Sequence, residues 1–258
     1  MKQLCIIIIL LSCLFSKPVS KIISLLPTTG DELAEKMDQR IMPSDSKVDL
    51  IMTLKNKKGK THSSTLRSIV KDDGAKQIIW FLSPADDKGV AFLKIEHNDR
   101  DDEMRIWLPN FKKVQRISAK KRSGSFMGSD MSYEDMSSRQ LDEYTFNILG
   151  QEVYDSTSCY LLESFPREDI RTEYSKHITW VNDNFLSLKE ESYDKSGELL
   201  KEKYFFYSHI NGYDVLSEIK VRDVQKDHST IIKFENIELD TGVEDKLFHE
   251  MYLKRRPQ

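Results

Sequence analysis

The side chains that could do chemistry in this chain are six histidines, three cysteines and several acidic clusters. His62, His97, His177, His209, His228 and His249 are scattered. None forms H-E-x-x-H or pairs with a neighbouring cysteine, the spacings a zinc site needs. No metal and no cofactor is expected. There is no G-x-S-x-G elbow, and Gly124 and Gly128 lack the Lys-Ser/Thr that completes a phosphate-binding loop. Asp99-Arg100-Asp101-Asp102-Glu103 has the acid density of a calcium loop. It lacks the central glycine and holds Arg100 inside it, so a solvated hairpin tip is expected. Glu134-Asp135 could form a catalytic pair, yet carboxylates at a helix start are common because they favour its positive end. The spacing yields no catalytic residue, and an enzyme is not expected.

A different chemistry stands out at residues 104–136. Lys112, Lys113, Arg116, Lys120, Lys121 and Arg122 are six cations with no acid between Arg105 and Ser129, in a chain of net charge −3. Phe126, Met127, Met131 and Met136 follow, placing large soft apolar groups in a loop. A solvated basic loop followed by a helix packed on a sheet would account for this. So would a lid over an apolar cavity, with cations at its mouth. Methionine suits such a surface because its unbranched chain adapts to varied partners. The cations would suit acidic headgroups or an acidic protein. The overall charge gives no basic surplus of the kind nucleic acid requires.

These groups must be held by elements that the hydropathy pattern predicts. Met1-Lys2-Gln3 and the apolar run Leu4 to Phe15 read as a secretory signal, too short to cross a bilayer. Residues 1–20 are therefore set apart from the fold, and residues 21–258 are expected to form one β domain. Ser16 and Ser20 suit ordinary cleavage. Leu10-Leu11-Ser12-Cys13 resembles a lipobox, with Leu11 unusual at its position; in that reading Cys13 is lipidated and tethers the chain to a membrane. Either reading places the chain in the cell envelope. Only Cys159 remains in the body of the chain, where a small buried strand residue is expected.

Thr29 and Glu32 have capping-box spacing, which predicts a helix from Thr29 to Arg40. Val48, Leu50, Met52 and Leu54 then alternate with polar residues, as in a strand with one wet face. Strands follow at 61–70, 77–82, 90–96 and 103–108, separated by turn residues. Residues 109–140 interrupt the pattern; Ser132-x-x-Asp135 predicts a short helix there. Strands resume near 143–149, 157–164, 174–181, 185–193, 198–208, 213–222 and 228–239. Residues 241–248 suggest a last turn of helix. The fold class is mostly β: one large curled antiparallel sheet of about a dozen strands.

The string W-L-P-x-x-K-K-V-x-R-I at 107–117, followed by S-F-M-G-S-D-M-S-Y-E-D-M at 125–136, closely resembles the bacterial outer-membrane lipoprotein-sorting proteins, which are LolA-like. Lys88 to Leu93, Ile178 to Asn182 and Lys189 to Gly197 resemble the same family, across most of residues 30–253. The resemblance implies a strongly curved antiparallel sheet, an unclosed barrel of the LolA/LolB kind, with short covering helices and an apolar concave face for acyl chains. It also implies a transporter partner of the resistance-nodulation-division type. The chain is longer than LolA, which leaves the cargo open.

Three functions are weighed on this basis. The first is a non-enzymatic carrier of lipoprotein acyl chains or another lipid. Trp80, Phe92, Trp107, Phe126 and Met127 would line its cavity, and Lys112, Lys113 and Arg116 would contact headgroups or a partner. The second is an accessory envelope protein with a filled interior, docking on a transporter without lipid. The third, a hydrolase, has no support in the spacing.

Overall fold

A computed structural model describes residues 26–97 and 99–255. The expected leader at 1–20, with Cys13, lies outside the described residues. The first helix, α1 (Gly30–Asp38), carries the predicted capping box between Thr29 and Glu32. Gly30 is required there: a Cβ would overlap the Phe146 backbone.

Thirteen strands follow. They are β1 (Asp45–Lys55), β2 (Thr61–Lys71), β3 (Lys76–Ser83), β4 (Ala91–Ile95), β5 (Glu103–Leu108), β6 (Lys113–Arg116), β7 (Tyr144–Tyr154), β8 (Thr157–Pro166), β9 (Tyr174–Asn182), β10 (Ser187–Asp194), β11 (Leu199–Ile210), β12 (Tyr213–Asp223) and β13 (His228–Leu239). The short β6 falls in the stretch expected to be loop. The predicted helix at 132 is a single 3-10 turn, Glu134–Met136. The expected last helical turn is present as a 3-10 turn at Asp245–Phe248 and a short helix, α2 (Glu250–Leu253).

All strands join one antiparallel sheet in the order β6-β5-β4-β3-β2-β1-β13-β12-β11-β10-β9-β8-β7. The chain meanders outward from β1 to one edge, β6. It then crosses to the opposite edge, β7, and meanders back until β13 pairs with β1. The sheet is not closed, because β6 and β7 do not pair. The crossing segment, residues 117–143, connects the two edges.

Strand register defines the two faces. Leu162, Thr179, Glu190, Lys203, Val221, Thr230 and Leu54 are cross-strand partners in succession, so they form one row on the concave face. On β1 to β5 that face is apolar, with Val48, Leu50, Met52, Leu66, Ile79, Phe81, Phe92, Met104 and Ile106 in one buried cluster. On β8 and β9 it packs Tyr160, Leu162 and Val181 against Leu33 and Ala34 of α1. On β10 and β11 it carries the charges of Glu190, Lys201 and Lys203, while Ile219 and Val221 of β12 join the apolar cluster.

The convex face of β2 to β5 is also covered. Ile69, Ile78, Trp80, Ala91 and Leu93 pack under Val243, Phe248 and Leu253 of the C-terminal segment. The Asp45 carboxylate anchors that segment, accepting from the backbone N–H groups of Thr241 (2.8 Å), Gly242 (2.9 Å) and Val243 (3.0 Å).

Candidate functional site: the crossing segment and the concave face

The segment that resembles the sorting family is the one that crosses the concave face. Residues 125–132 fold back on themselves. Ser125 and Ser132 form an isolated antiparallel bridge, and the Phe126 N–H donates to the Met131 carbonyl at 2.7 Å. Met127 (φ 51°) and Gly128 (φ 80°) turn the chain in the left-handed region, where glycine carries no Cβ penalty. Ser129 Oγ donates to the Phe126 carbonyl at 2.7 Å and tightens the turn.

This turn inserts Phe126 into the apolar half of the sheet, leaving it 3% exposed. Its ring meets Phe92 edge-on at 5.3 Å and Tyr133 edge-on at 5.8 Å, with Phe81 at 6.2 Å. Edge-to-face packing of this kind adds about 0.5–1.5 kcal/mol per pair beyond area burial. Met127, Tyr133 and Met136 pack on the same cluster.

Two aspartates fasten the segment to the returning strands. Asp130 accepts from Thr230 Oγ1 at 2.6 Å and lies 2.8 Å from His228 Nδ1. Asp135 closes the predicted Ser132 cap, accepting from the Ser132 N–H at 2.8 Å. The same carboxylate accepts from Tyr174 Oη at 3.0 Å and from Lys201 Nζ at 3.0 Å, and it pairs with Lys203. Lys203 also reaches Glu190 at 3.1 Å, and Arg139, from the end of the segment, reaches Glu190 at 2.7 Å. His177 lies beneath, its Nδ1 2.9 Å from Ser192 Oγ.

Charge compensation sets the protonation of this network. Burial would raise the Asp135 carboxyl; Lys203 and Lys201 outweigh it and hold the group well below the usual carboxylate range. Burial opposes Glu190 in the same way, and Arg139 and Lys203 hold it low. Burial would lower Lys203, but Asp135 and Glu190 raise it. His177 is 0% exposed; burial first, then the nearby Arg139 cation, pushes its imidazolium form well out of reach. Burial also raises the phenol of Tyr174.

Cavities flank the crossing segment. A cleft of about 1030 Å³ borders Arg122, Glu134, Asp135, Arg139, Tyr174 and Glu190 and is predominantly polar. A second, about 620 Å³, lies by Asn56, Ser125, Asp130 and Asp223. A third, about 490 Å³, has apolar walls of Ile106, Leu108, Ile117, Met127 and Tyr133, with Lys120 and Lys121 at its edge. Among the described residues no three His, Cys, Asp or Glu side chains are grouped to hold a metal.

A family model described as an uncharacterized protein matches residues 73–255. A protein of the DUF1329 family from Desulfovibrio piger is 31% identical, with a TM-score of 0.82 over 87% of this chain and 97% of its own. A protein from Vibrio parahaemolyticus, described as an outer membrane lipoprotein-sorting protein domain, is also 31% identical, with a TM-score of 0.82 over 88% of this chain and 98% of its own. The chain belongs to this family. The LolA superfamily protein NE2245 from Nitrosomonas europaea, 21% identical with a TM-score of 0.70 over 88% of this chain and 100% of its own, shares the fold. No curated protein matches the chain.

Within this LolA-like sheet the five residues expected to line one cavity fall on two faces. Phe92, Phe126 and Met127 meet on the concave face. Trp80 and Trp107 lie on the convex face. Trp80 is 4% exposed, sealed by the C-terminal segment, and its Nε1–H donates to the Tyr252 carbonyl at 3.2 Å. Lys254 stands over the Trp107 ring at 5.3 Å. The run Ile78-Ile79-Trp80-Phe81 is buried on both sides, so its alternation carries no inside or outside. Lys112 and Lys113 are exposed at the β5–β6 connection, and Arg116 is exposed at the far end of β6, opposite Arg105. The charged network had only one trace in the sequence, the Ser132-x-x-Asp135 cap. Lys201 and Lys203 alternate with Glu202 and Tyr204, so both faces of β11 look polar.

Proposed function

We propose that the protein is a non-enzymatic envelope carrier that holds acyl chains of a lipoprotein or another lipid against the apolar half of the concave sheet. One observation carries this reading. That apolar face is covered by the crossing segment, which contributes one bridge and a few 3-10 turns rather than a packed helix or strand. Withdrawing Phe126 and Met131 would uncover Met52, Leu66, Phe81, Phe92 and Met104 and join the flanking cavities. Each methylene placed there gains about 0.8 kcal/mol. Two relatives, a lipoprotein-sorting protein domain and a LolA superfamily protein, agree with this role.

In this reading Phe92, Phe126 and Met127 touch the cargo, and Lys112, Lys113 and Arg116 meet headgroups or a partner. Export follows from the signal at 1–20, with ordinary cleavage or a lipidated Cys13 as the two routes to the envelope. A transporter of the resistance-nodulation-division type would load or receive the cargo.

Native mass spectrometry of protein purified from its own envelope tests the carrier. Retained lipid or lipopeptide is the expected result. Bare protein that also takes up no added fatty acid or lipopeptide would sink it.

A second reading is favoured by the same segment. Phe126 already fills the apolar face, which suits an accessory protein that docks on a transporter without lipid. Absence of lipid uptake even after Phe126→Ala would favour it.

A further inference from the structure

Two loops lie at one end of the strands that carry the apolar face. The β1–β2 turn presents Lys57 and Lys58, and the β5–β6 connection presents Lys112 and Lys113. The register places them at the same end, because β1 and β5 run in the same direction through successive antiparallel pairs. All four lysines are exposed. Among the described residues none of the four takes part in an ion pair. Of the nearby acids, Asp87 is occupied by His62 and Ser64, at 3.0 and 2.9 Å, and Asp86 is exposed.

At the apex of the β5–β6 connection stands Phe111, 77% exposed. It closes the 3-10 turn Pro109–Phe111, immediately before Lys112 in a left-handed conformation. None of the described residues covers this ring, although the neighbouring apolar side chains Leu108 and Met127 are packed.

We infer that this end of the sheet docks on an anionic bilayer surface, with Phe111 entering the headgroup region and the four lysines facing its negative charge. The inference rests on the carrier reading, and extends it by naming where cargo enters or leaves. Two features favour a membrane over an acidic protein. The cations are lysines spread over two loops, without the arginine forks that would match individual carboxylates. An exposed aromatic ring among them is the pairing that anchors proteins at a lipid interface. The cavity walled by Ile106, Leu108, Met127 and Tyr133 reaches Leu108 at this end of β5, so a docked molecule would bring its apolar wall to the lipid.

Sedimentation of the full chain with vesicles of phosphatidylcholine mixed with phosphatidylglycerol, against phosphatidylcholine alone, tests this. The leader at residues 1–15 contributes equally to the native chain and its variants, so their comparison isolates the basic end. Stronger binding to the anionic vesicles, reduced by salt, is expected. The quadruple charge reversal Lys57→Glu, Lys58→Glu, Lys112→Glu, Lys113→Glu should lower that binding by at least about tenfold. Phe111→Ser should lower the binding that remains at high salt. These side chains are exposed, and unchanged circular dichroism will show that the variants fold. Equal binding to both vesicle types, or an unaffected charge reversal, overturns the inference and leaves the basic end to an acidic protein partner. Fatty-acid uptake in solution is read separately: a chain that takes up lipid without docking refutes only the docking, and one that docks without taking up lipid refutes only the carrier.

Discussion

Asp135 on the crossing segment and Lys203 on β11 form an ion pair whose side chains are 2% and 5% exposed. Lys201 completes the arrangement from the same strand. Removing one partner of a buried pair leaves the other charge without compensation, which costs about 3–5 kcal/mol. Asp135→Asn should therefore lower the unfolding free energy in urea by about that amount, and the segment should become the first site of proteolysis. A change below about 0.5 kcal/mol, the level of a surface substitution, would show that the pair does not hold the segment down.

The same network predicts the acid response. Asp135 and Glu190 are held below their usual range. Their contribution is complete above the unfolded carboxylate pKa, about 4, and is lost as pH falls from there toward the depressed folded values. Unfolding free energies measured from neutral to acid pH should drop steeply below about pH 4, and Asp135→Asn should flatten that drop. An equal slope in the variant would remove Asp135 from the account.

His177 gives a second, separable window. Its folded pKa is lowered, so the native state holds it neutral among Ser192, Glu190, Arg139 and Lys203. The unfolded chain takes up the proton near pH 6.5, and stability is therefore lost as pH falls below that value. The slope attributable to one proton is at most about 1.4 kcal/mol per pH unit. The difference in unfolding free energy between the native chain and His177→Gln should shrink from pH 7 toward pH 5. A constant difference would mean that His177 takes up its proton as readily in the fold as in the unfolded chain.

Phe126 tests whether the segment is displaceable. Truncation of a buried phenylalanine costs about 3–5 kcal/mol where the whole structure feels it. Here the ring is held by a turn, so the loss should appear as local opening. In Phe126→Ala, amides at 124–133 should exchange faster while those of β1 and β13 keep their protection. Fatty-acid uptake should rise, because a side chain that competes for the same face is gone. Faster exchange across the whole sheet would show that Phe126 is part of the global core.

Much of the architecture was legible. Thr29 and Glu32 gave the first helix, and alternation with turn residues gave twelve of the strands within a few residues. β6 was missed because Lys113-Val114-Gln115-Arg116 has too few apolar residues to alternate. The stretch 125–136 stood out because Phe126 and Met131 interrupt a loop composition, and both side chains pack on the concave sheet. Its attachments were not. Asp135 reaches Lys201 and Lys203 across more than sixty positions of chain, and nothing in either stretch marks them as partners. Of the aromatic residues expected to share a face, Phe92 and Phe126 meet, whereas Trp80 stands in a strand apolar on both faces, where parity carries no information.

That division of faces leads to a direct test of where cargo sits. The chain has three tryptophans, Trp80, Trp107 and Trp180. Trp80 and Trp107 are convex. Trp180 pairs with Leu161 and Lys189, whereas its neighbours Thr179 and Val181 face the concave side, so it is convex too. Lys189 covers its ring at 4.2 Å. A brominated fatty acid, which quenches indole fluorescence on contact, should therefore leave the native emission unchanged when it binds. Tyr133→Trp puts an indole in the wall of the apolar cavity beside Met127. That variant should be quenched in proportion to the lipid bound, and an unbrominated chain should compete the quenching away. Quenching of the native protein would instead place the lipid on the convex face, under the C-terminal segment that Asp45 anchors. The concave sheet would then be a filled core.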